Sequence, residues 1–307
     1  MNRTLAASAL AALASLALVA AVPADTQGLR GRLLERMREK SAATPPIDAA
    51  TLVPGATRID ASYGSDPAQT LAAYVPAHAQ NAPVIVMVHG GGWRIGDKNM
   101  AGVIENKVKH WLPKGFIFVS IDYRMLPDAQ VDVQAQDVAA AVAYVESHAG
   151  EWGGDGNKLV LMGHSAGAHL VALMSADPAR VTSAGGHPWA GTVVIDSAGY
   201  DIASVMSRHH MKLYDDAFGT DPAYWASLSP AVQLKPGAVP MFLICALKRP
   251  DDSCGQSDGF AAKIMAMGMD APVSRQDMTH EDVNKNLGLP GAYTDAVDAF
   301  IAARLKP

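Results

Sequence analysis

The chain has 307 residues, 49% of them hydrophobic, and a formal net charge of −5 at pH 7. That is ample for one large core, and a single α/β domain of this length is the default. The mild acidity gives no electrostatic reason to expect nucleic acid or an anionic membrane surface as a partner.

At the amino end, Asn2 and Arg3 give a short positive start, and Leu5 to Val22 is an apolar run. Val22-Pro23-Ala24 then places small residues ahead of Asp25. This is the pattern of a cleavable signal, so residues 1–24 predict export to the periplasm or medium with cleavage after Ala24. The run approaches membrane-spanning length, but its alanine-rich content is weakly hydrophobic, and no stable membrane partner is expected. Residues 25–50 read as a short arginine-rich helix, GLRGRLLERMREK, and a linker with two prolines, SAATPPID. Residues 51–307 read as the main domain.

From about residue 57 onward, apolar runs of strand length alternate with helix-length segments. TLAAYVP (70–76) and VIVMVHG (84–90) predict strands, the second continuous and so buried on both faces. Lys98 to Trp111 reads as helical, FIFVSIDY (116–123) as a strand, and VQAQDVAAAVAYVESHA (133–149) as a helix. KLVLMG (158–163) and GTVVID (191–196) predict strands either side of a helix from Ala166 to Ala176. PMFLIC (240–245) is another strand, followed by the helix GFAAKIMAMG (259–268), the strand APVSRQDM (271–278), and a last helix from about Thr294 to Leu305. Such alternation implies a mostly parallel sheet covered by helices on both faces. Residues 200–236 break the rhythm. They show no clear strand but gather Tyr214, Phe218, Tyr224 and Trp225, as an insertion over the carboxyl edge of the sheet would.

Two stretches carry chemistry. Ser165 stands in Gly163-His164-Ser165-Ala166-Gly167, directly after one strand and before one helix. A reversal that sharp puts the central residue in strained backbone geometry and lifts its hydroxyl above the sheet, at a helix N-terminus that favours negative charge. His89-Gly90-Gly91-Gly92-Trp93 follows a buried strand. Three glycines there are a poor choice for stability, but they suit bare N–H groups that approach a ligand oxygen closely. The ten histidines and the acidic residues show no paired metal-ligand spacing, and neither a metal nor a cofactor is expected.

With HGGGW, SIDYRMLP, GHSAGAHL, the Ser229-Pro230 pair and a late histidine, residues 70 to 305 resemble the α/β-hydrolases. The branch is that of esterases and lipases with a histidine–glycine–glycine–glycine loop, with feruloyl-esterase and arylformamidase-like relatives. The resemblance implies the α/β-hydrolase fold with a small insertion over the active site. It also implies a serine carboxylesterase working through a Ser-His-Asp triad and an acyl-enzyme on a small-molecule ester. It assigns Ser165 as nucleophile, His280 in DMTHED as base, and Gly91, Gly92 and Ala166 as oxyanion-hole donors, with His89 bracing the loop. The acid is expected after PMFLIC, where ALKRPDDSCGQSD offers Asp251 and Asp252 while Arg249 stands near the usual place. Asp252 is preferred, because Pro250 favours a turn with Asp251 at its exposed corner. Asp196 and Asp201 are more distant alternatives. Arylformamide hydrolysis is the second enzymatic reading, with export counting against it. A hydrolase fold used only for binding is the third, marked by loss of a triad member. The only two cysteines, Cys245 and Cys254, bracket the loop that carries both acid candidates, and export predicts a bond between them.

Overall fold

The structure, a computed structural model, describes residues 44–306. The expected signal segment, and the arginine-rich part of residues 25–50, lie outside the described residues.

The apolar runs form strands because each alternates its side chains between two buried faces. In β3 (Ala82–Val88), Val84, Val86 and Val88 join one core cluster, while Ile85 and Met87 join the other. β4 (Ile117–Ile121), β6 (Gly191–Ile195) and β7 (Met241–Ala246) are buried at every position, which only a centrally placed strand achieves. With β1 (Thr57–Ser62), β2 (Thr70–Val75), β5 (Gly154–His164) and β8 (Val273–Gln276) they make one eight-stranded sheet in the order β1-β2-β4-β3-β5-β6-β7-β8. The β1–β2 and β2–β4 pairs are antiparallel, and every pair from β4 to β8 is parallel.

A helical turn, α1 (Ala49–Leu52), precedes the sheet. One face of the sheet packs on α3 (Val131–His148), α4 (Ala166–Ala176) and α10 (Ser253–Ala266). The other packs on α2 (Ala101–Trp111), α11 (His280–Lys285) and α12 (Ala292–Arg304). A short α5 (Ala179–Ser183) follows α4. The expected insertion consists of α6 (Ile202–Met206), α7 (Lys212–Phe218), α8 (Pro222–Ser227) and α9 (Pro230–Gln233), each one to two turns long. Among the described residues no helix is long and apolar enough to cross a membrane.

Three local readings need correction. β1 is a strand that the alternation does not announce, because it is an edge whose side chains are exposed or half-buried, Arg58 and Asp60 among them. The strand expected at 271–278 is only Val273–Gln276. The helix expected from Gly259 starts six residues earlier, at Ser253, and this shift decides the fate of an acid candidate.

Candidate active site

β5 ends at His164, and the chain reverses at once into α4. Ser165 sits at the reversal with φ 56° and ψ −118°, a region that side chains rarely adopt. Its N–H donates to the Ile195 carbonyl on the neighbouring strand at 3.0 Å, which holds the turn against the sheet. The space beside it is close to zero. A Cβ on Gly167 would stand 2.3 Å from the Val88 carbonyl oxygen, and one on Gly163 would stand 2.5 Å from the Gly167 oxygen.

His280 is the first residue of α11, one position after the N-cap Thr279, whose side chain accepts from the Asp282 N–H. From there its imidazole reaches in two directions. Nε2 lies 2.8 Å from Ser165 Oγ, and Nδ1 lies 2.5 Å from Asp196 Oδ2. Asp196 follows β6 directly, takes φ 57°, and is fully buried. Its Oδ1 accepts from the Ala246 N–H at 2.9 Å. Burial alone would raise this carboxyl's pKa. The His280 hydrogen bond, the Arg249 charge and the Ala246 N–H outweigh burial and hold it down at about 2.

The loop after β7 does not deliver an acid to the imidazole, so the expectation for Asp252 fails on geometry. Because α10 starts at Ser253, Asp252 is its N-cap: φ 52° and ψ 50°, exposed, with Oδ1 accepting from the Gly255 N–H at 3.1 Å. Asp251 instead faces Arg249, taking Nε at 2.5 Å and Nη2 at 2.7 Å. Asp201 caps α6 by accepting from the Ser204 N–H. Asp196, the residue that ends the run VVID, is the carboxylate that the fold places beside His280. Its signal in the sequence is an acid at the mouth of a central strand, paired with an arginine where an acid is usual. Cys245 and Cys254 are joined, S–S 2.04 Å, and tie the end of β7 to the first turn of α10.

The glycine loop lies against the elbow: a Cβ on Gly90 would stand 2.8 Å from Ser165 Cβ. Gly91 has φ 124°, and a Cβ there would stand 1.7 Å from the Ile95 carbonyl oxygen, so only glycine fits. Gly91, Gly92 and Ala166 line the same cavity as Ser165 and His280, of about 880 Å³. His89 turns away from it. Its Nδ1–H donates to the Gly90 carbonyl at 2.7 Å and its ring stacks on Tyr123 at 4.6 Å, as a brace would. Two further histidines are kept neutral. Burial, reinforced by the nearby His280, brings His164 down to about 3, and its Nε2–H donates to the His280 carbonyl. Burial brings His169 down to about 4, and its Nε2–H donates to the Leu228 carbonyl. Among the described residues no group of three or more His, Cys, Asp or Glu side chains could hold a metal ion.

The sheet order, the strand–elbow–helix at Ser165 and the histidine after the last strand define an α/β-hydrolase. Residues 71–264 match the BD-FAE family, and the chain belongs to it. Among curated proteins it is 31% identical over 163 residues to a probable isoprenylcysteine alpha-carbonyl methylesterase ICME of Oryza sativa subsp. japonica, covering 51% of this chain and 39% of that protein. It is 28% identical over 204 residues to Esterase LipQ of Mycobacterium tuberculosis, covering 62% and 48%. The chain spans between 34% and 60% of the length of the curated relatives named isoprenylcysteine alpha-carbonyl methylesterase. Among solved structures, Thermogutta terrifontis esterase 2 phosphonylated by sarin superposes with a TM-score of 0.66 at 20% identity, covering 82% of this chain and 96% of that one. DphMB1 superposes with a TM-score of 0.66 at 24% identity, covering 89% and 91%. These two likenesses show the fold.

Proposed function

We propose that the protein is an exported carboxylesterase in which Ser165 is the nucleophile, His280 the base and Asp196 the acid. The observation that carries this reading is His280 spanning Ser165 Oγ at 2.8 Å and Asp196 Oδ2 at 2.5 Å. With the Nδ1 proton directed at the carboxylate, Nε2 presents its lone pair to the serine hydroxyl and takes the proton as Oγ attacks the ester carbonyl. Gly91, Gly92 and Ala166 supply N–H groups to the oxyanion, each typically worth about 3 kcal/mol in the transition state. The imidazolium then protonates the departing alkoxide, and a water activated by the same imidazole releases the acid from the acyl-enzyme.

The likeness to isoprenylcysteine alpha-carbonyl methylesterases and to Esterase LipQ supports an ester over an amide. The cavity supports an apolar one. Ile95, Met100 and Val103 line it from the α2 side, and Met211, Leu213 and Tyr214 line it from the insertion. Met100 and Met211 are 41% and 44% exposed, so its mouth offers apolar surface to an incoming chain. The test is hydrolysis of p-nitrophenyl esters from acetate to octanoate, run beside labelling with a fluorophosphonate. The wild type should turn over and label, preferring chains longer than acetate, and Ser165→Ala should do neither while keeping its fold. Turnover or labelling by the alanine variant would overturn the assignment.

Export rests on residues 1–24, and the Cys245–Cys254 bond suits an oxidising compartment. Amino-terminal sequencing of the protein made in a bacterial host with a periplasm should begin at Asp25. Recovery from the cytosol with residues 1–24 intact would count against it.

A further inference from the structure

We propose that Arg249, clamped by Asp251, is a positioning residue that sets the protonation of the Asp196–His280 pair; this rests on the function proposed above. The loop after β7 carries the guanidinium back to the end of β6, where Nη1 meets the Asp196 carbonyl oxygen at 2.6 Å and Asp196 Oδ2 at 3.1 Å. The same Nη1 lies 2.9 Å from His280 Nδ1. Its Nε and Nη2 are held by both Asp251 oxygens, and its side chain is only 9% exposed. The disulfide closes the loop that carries it, nine residues apart in sequence, so Arg249 and Asp251 are presented together.

Two donors therefore converge on one Asp196 oxygen, and their order matters. His280 Nδ1 can donate to Asp196 or accept from Arg249, but it cannot do both. In the second arrangement the ring proton sits on Nε2 and points at Ser165, leaving no lone pair to take the serine proton. Asp196 Oδ2, 2.5 Å from Nδ1 and 3.1 Å from Nη1, accepts from both and keeps the productive tautomer. The charges also balance in a definite way. With neutral His280, the cluster of Asp196, Arg249 and Asp251 carries one net negative charge, and protonating the imidazole brings it to zero. Without Arg249 the imidazolium would face two uncompensated carboxylates and form more readily. Without the Asp251 charge it would form less readily.

His164 from the end of β5 lies ring to ring with His280 at 4.6 Å, Glu281 and Lys285 of its own helix line the same cavity, and Tyr200 and Tyr214 from the insertion side interact with the Asp196–Arg249 cluster. From α2, Lys107 reaches Asn284, its Nζ donating to the Asn284 carbonyl at 2.6 Å. None of these changes in the variants below.

The test is the second-order rate of fluorophosphonate labelling at Ser165 as a function of pH, which needs no knowledge of the substrate. Relative to wild type, Arg249→Met should move the acid limb to higher pH by about half a unit or more. Arg249→Lys, which keeps a cation without the fork, should move it less. Asp251→Asn should move it the other way, to lower pH, by a few tenths of a unit. A merely structural role would slow labelling in all three without opposite displacements, so limbs that coincide or move together overturn the proposal. Asp251→Asn keeps the arginine, and so carries the test if Arg249→Met does not fold. If the wild type itself fails to label, the catalytic reading falls and takes this inference with it. If the wild type labels and the limbs stay put, only the role of Arg249 falls.

Discussion

Ser165 and Asp196 stand at the carboxyl ends of adjacent parallel strands, both in the left-handed region, with φ 56° and 57°. Each N–H donates one strand over, Ser165 to the Ile195 carbonyl and Asp196 to the Ile244 carbonyl, so the two turns form successive steps along one sheet edge. Their surroundings differ. The Ser165 turn is crowded by backbone: a Cβ on Gly167 would meet the Val88 and His89 carbonyl oxygens, and one on Gly163 the Gly167 oxygen, so both flanks must be glycine. The Asp196 turn opens into Ser197-Ala198-Gly199 and is held by side chains: Arg249, His280 and Ser197, whose Oγ accepts from the Gly199 N–H. Backbone crowding fixes Ser165, whereas polar partners from distant segments fix Asp196.

The largest effect should separate the two acids. Asp196→Asn should lower kcat by about 10⁴-fold, because an amide no longer secures the productive imidazole tautomer. Asp252→Asn, another capable cap, should leave kcat within a few-fold of wild type. The reverse ranking in steady-state kinetics would break the comparison. Next comes the crowding at the elbow. Gly167→Ala drives a methyl group into the Val88 carbonyl and should cost about 3 kcal/mol in urea unfolding, or prevent folding.

A third effect is a pH dependence that belongs to the acid turn alone. Asp196, held at about 2 when folded, has an ordinary value of about 3.9 when unfolded. Its contribution, roughly 2–3 kcal/mol, is thus fully present only above about pH 5 and is lost as pH falls through 2. Unfolding midpoints measured between pH 5 and 2 should fall less steeply in Asp196→Asn than in wild type. The smallest effect is at the looser flank. Ser197→Ala removes one hydrogen bond to the Gly199 N–H and should cost about 1 kcal/mol, well short of Gly167→Ala.

The same contrast explains what the amino-acid sequence disclosed. Buried strands and the elbow are written in local pattern, because a doubly covered strand needs a continuous apolar run and a crowded turn needs glycine at fixed offsets. His280 was legible because it follows the last strand. The carboxylate beside His280 was not, since its identity depends on which strands lie side by side. The stretch SCGQSDG also misleads: two glycines and several polar residues favour a loop, yet it is the first half of α10. The Asp252 cap and the Cys245–Cys254 bond offset its weak helix propensity. β1 escaped notice because an exposed edge strand needs no apolar run.

Trp93, at the foot of the glycine loop, has its ring between the elbow helix and the insertion. Its Nε1–H donates to His169 Nδ1 at 3.3 Å, and it meets Phe218 edge-on at 4.9 Å and Tyr214 at 5.6 Å. All three aromatic rings are at most 4% exposed. Helix α7 therefore cannot swing away from the cavity without unstacking the residue that follows Gly91 and Gly92. On the function proposed above, admission of a substrate and assembly of the oxyanion donors are then one mechanical event rather than two. An enzyme built this way should obey simple saturation with dissolved esters, with no lag and no surge in rate when the ester passes its solubility limit and forms droplets.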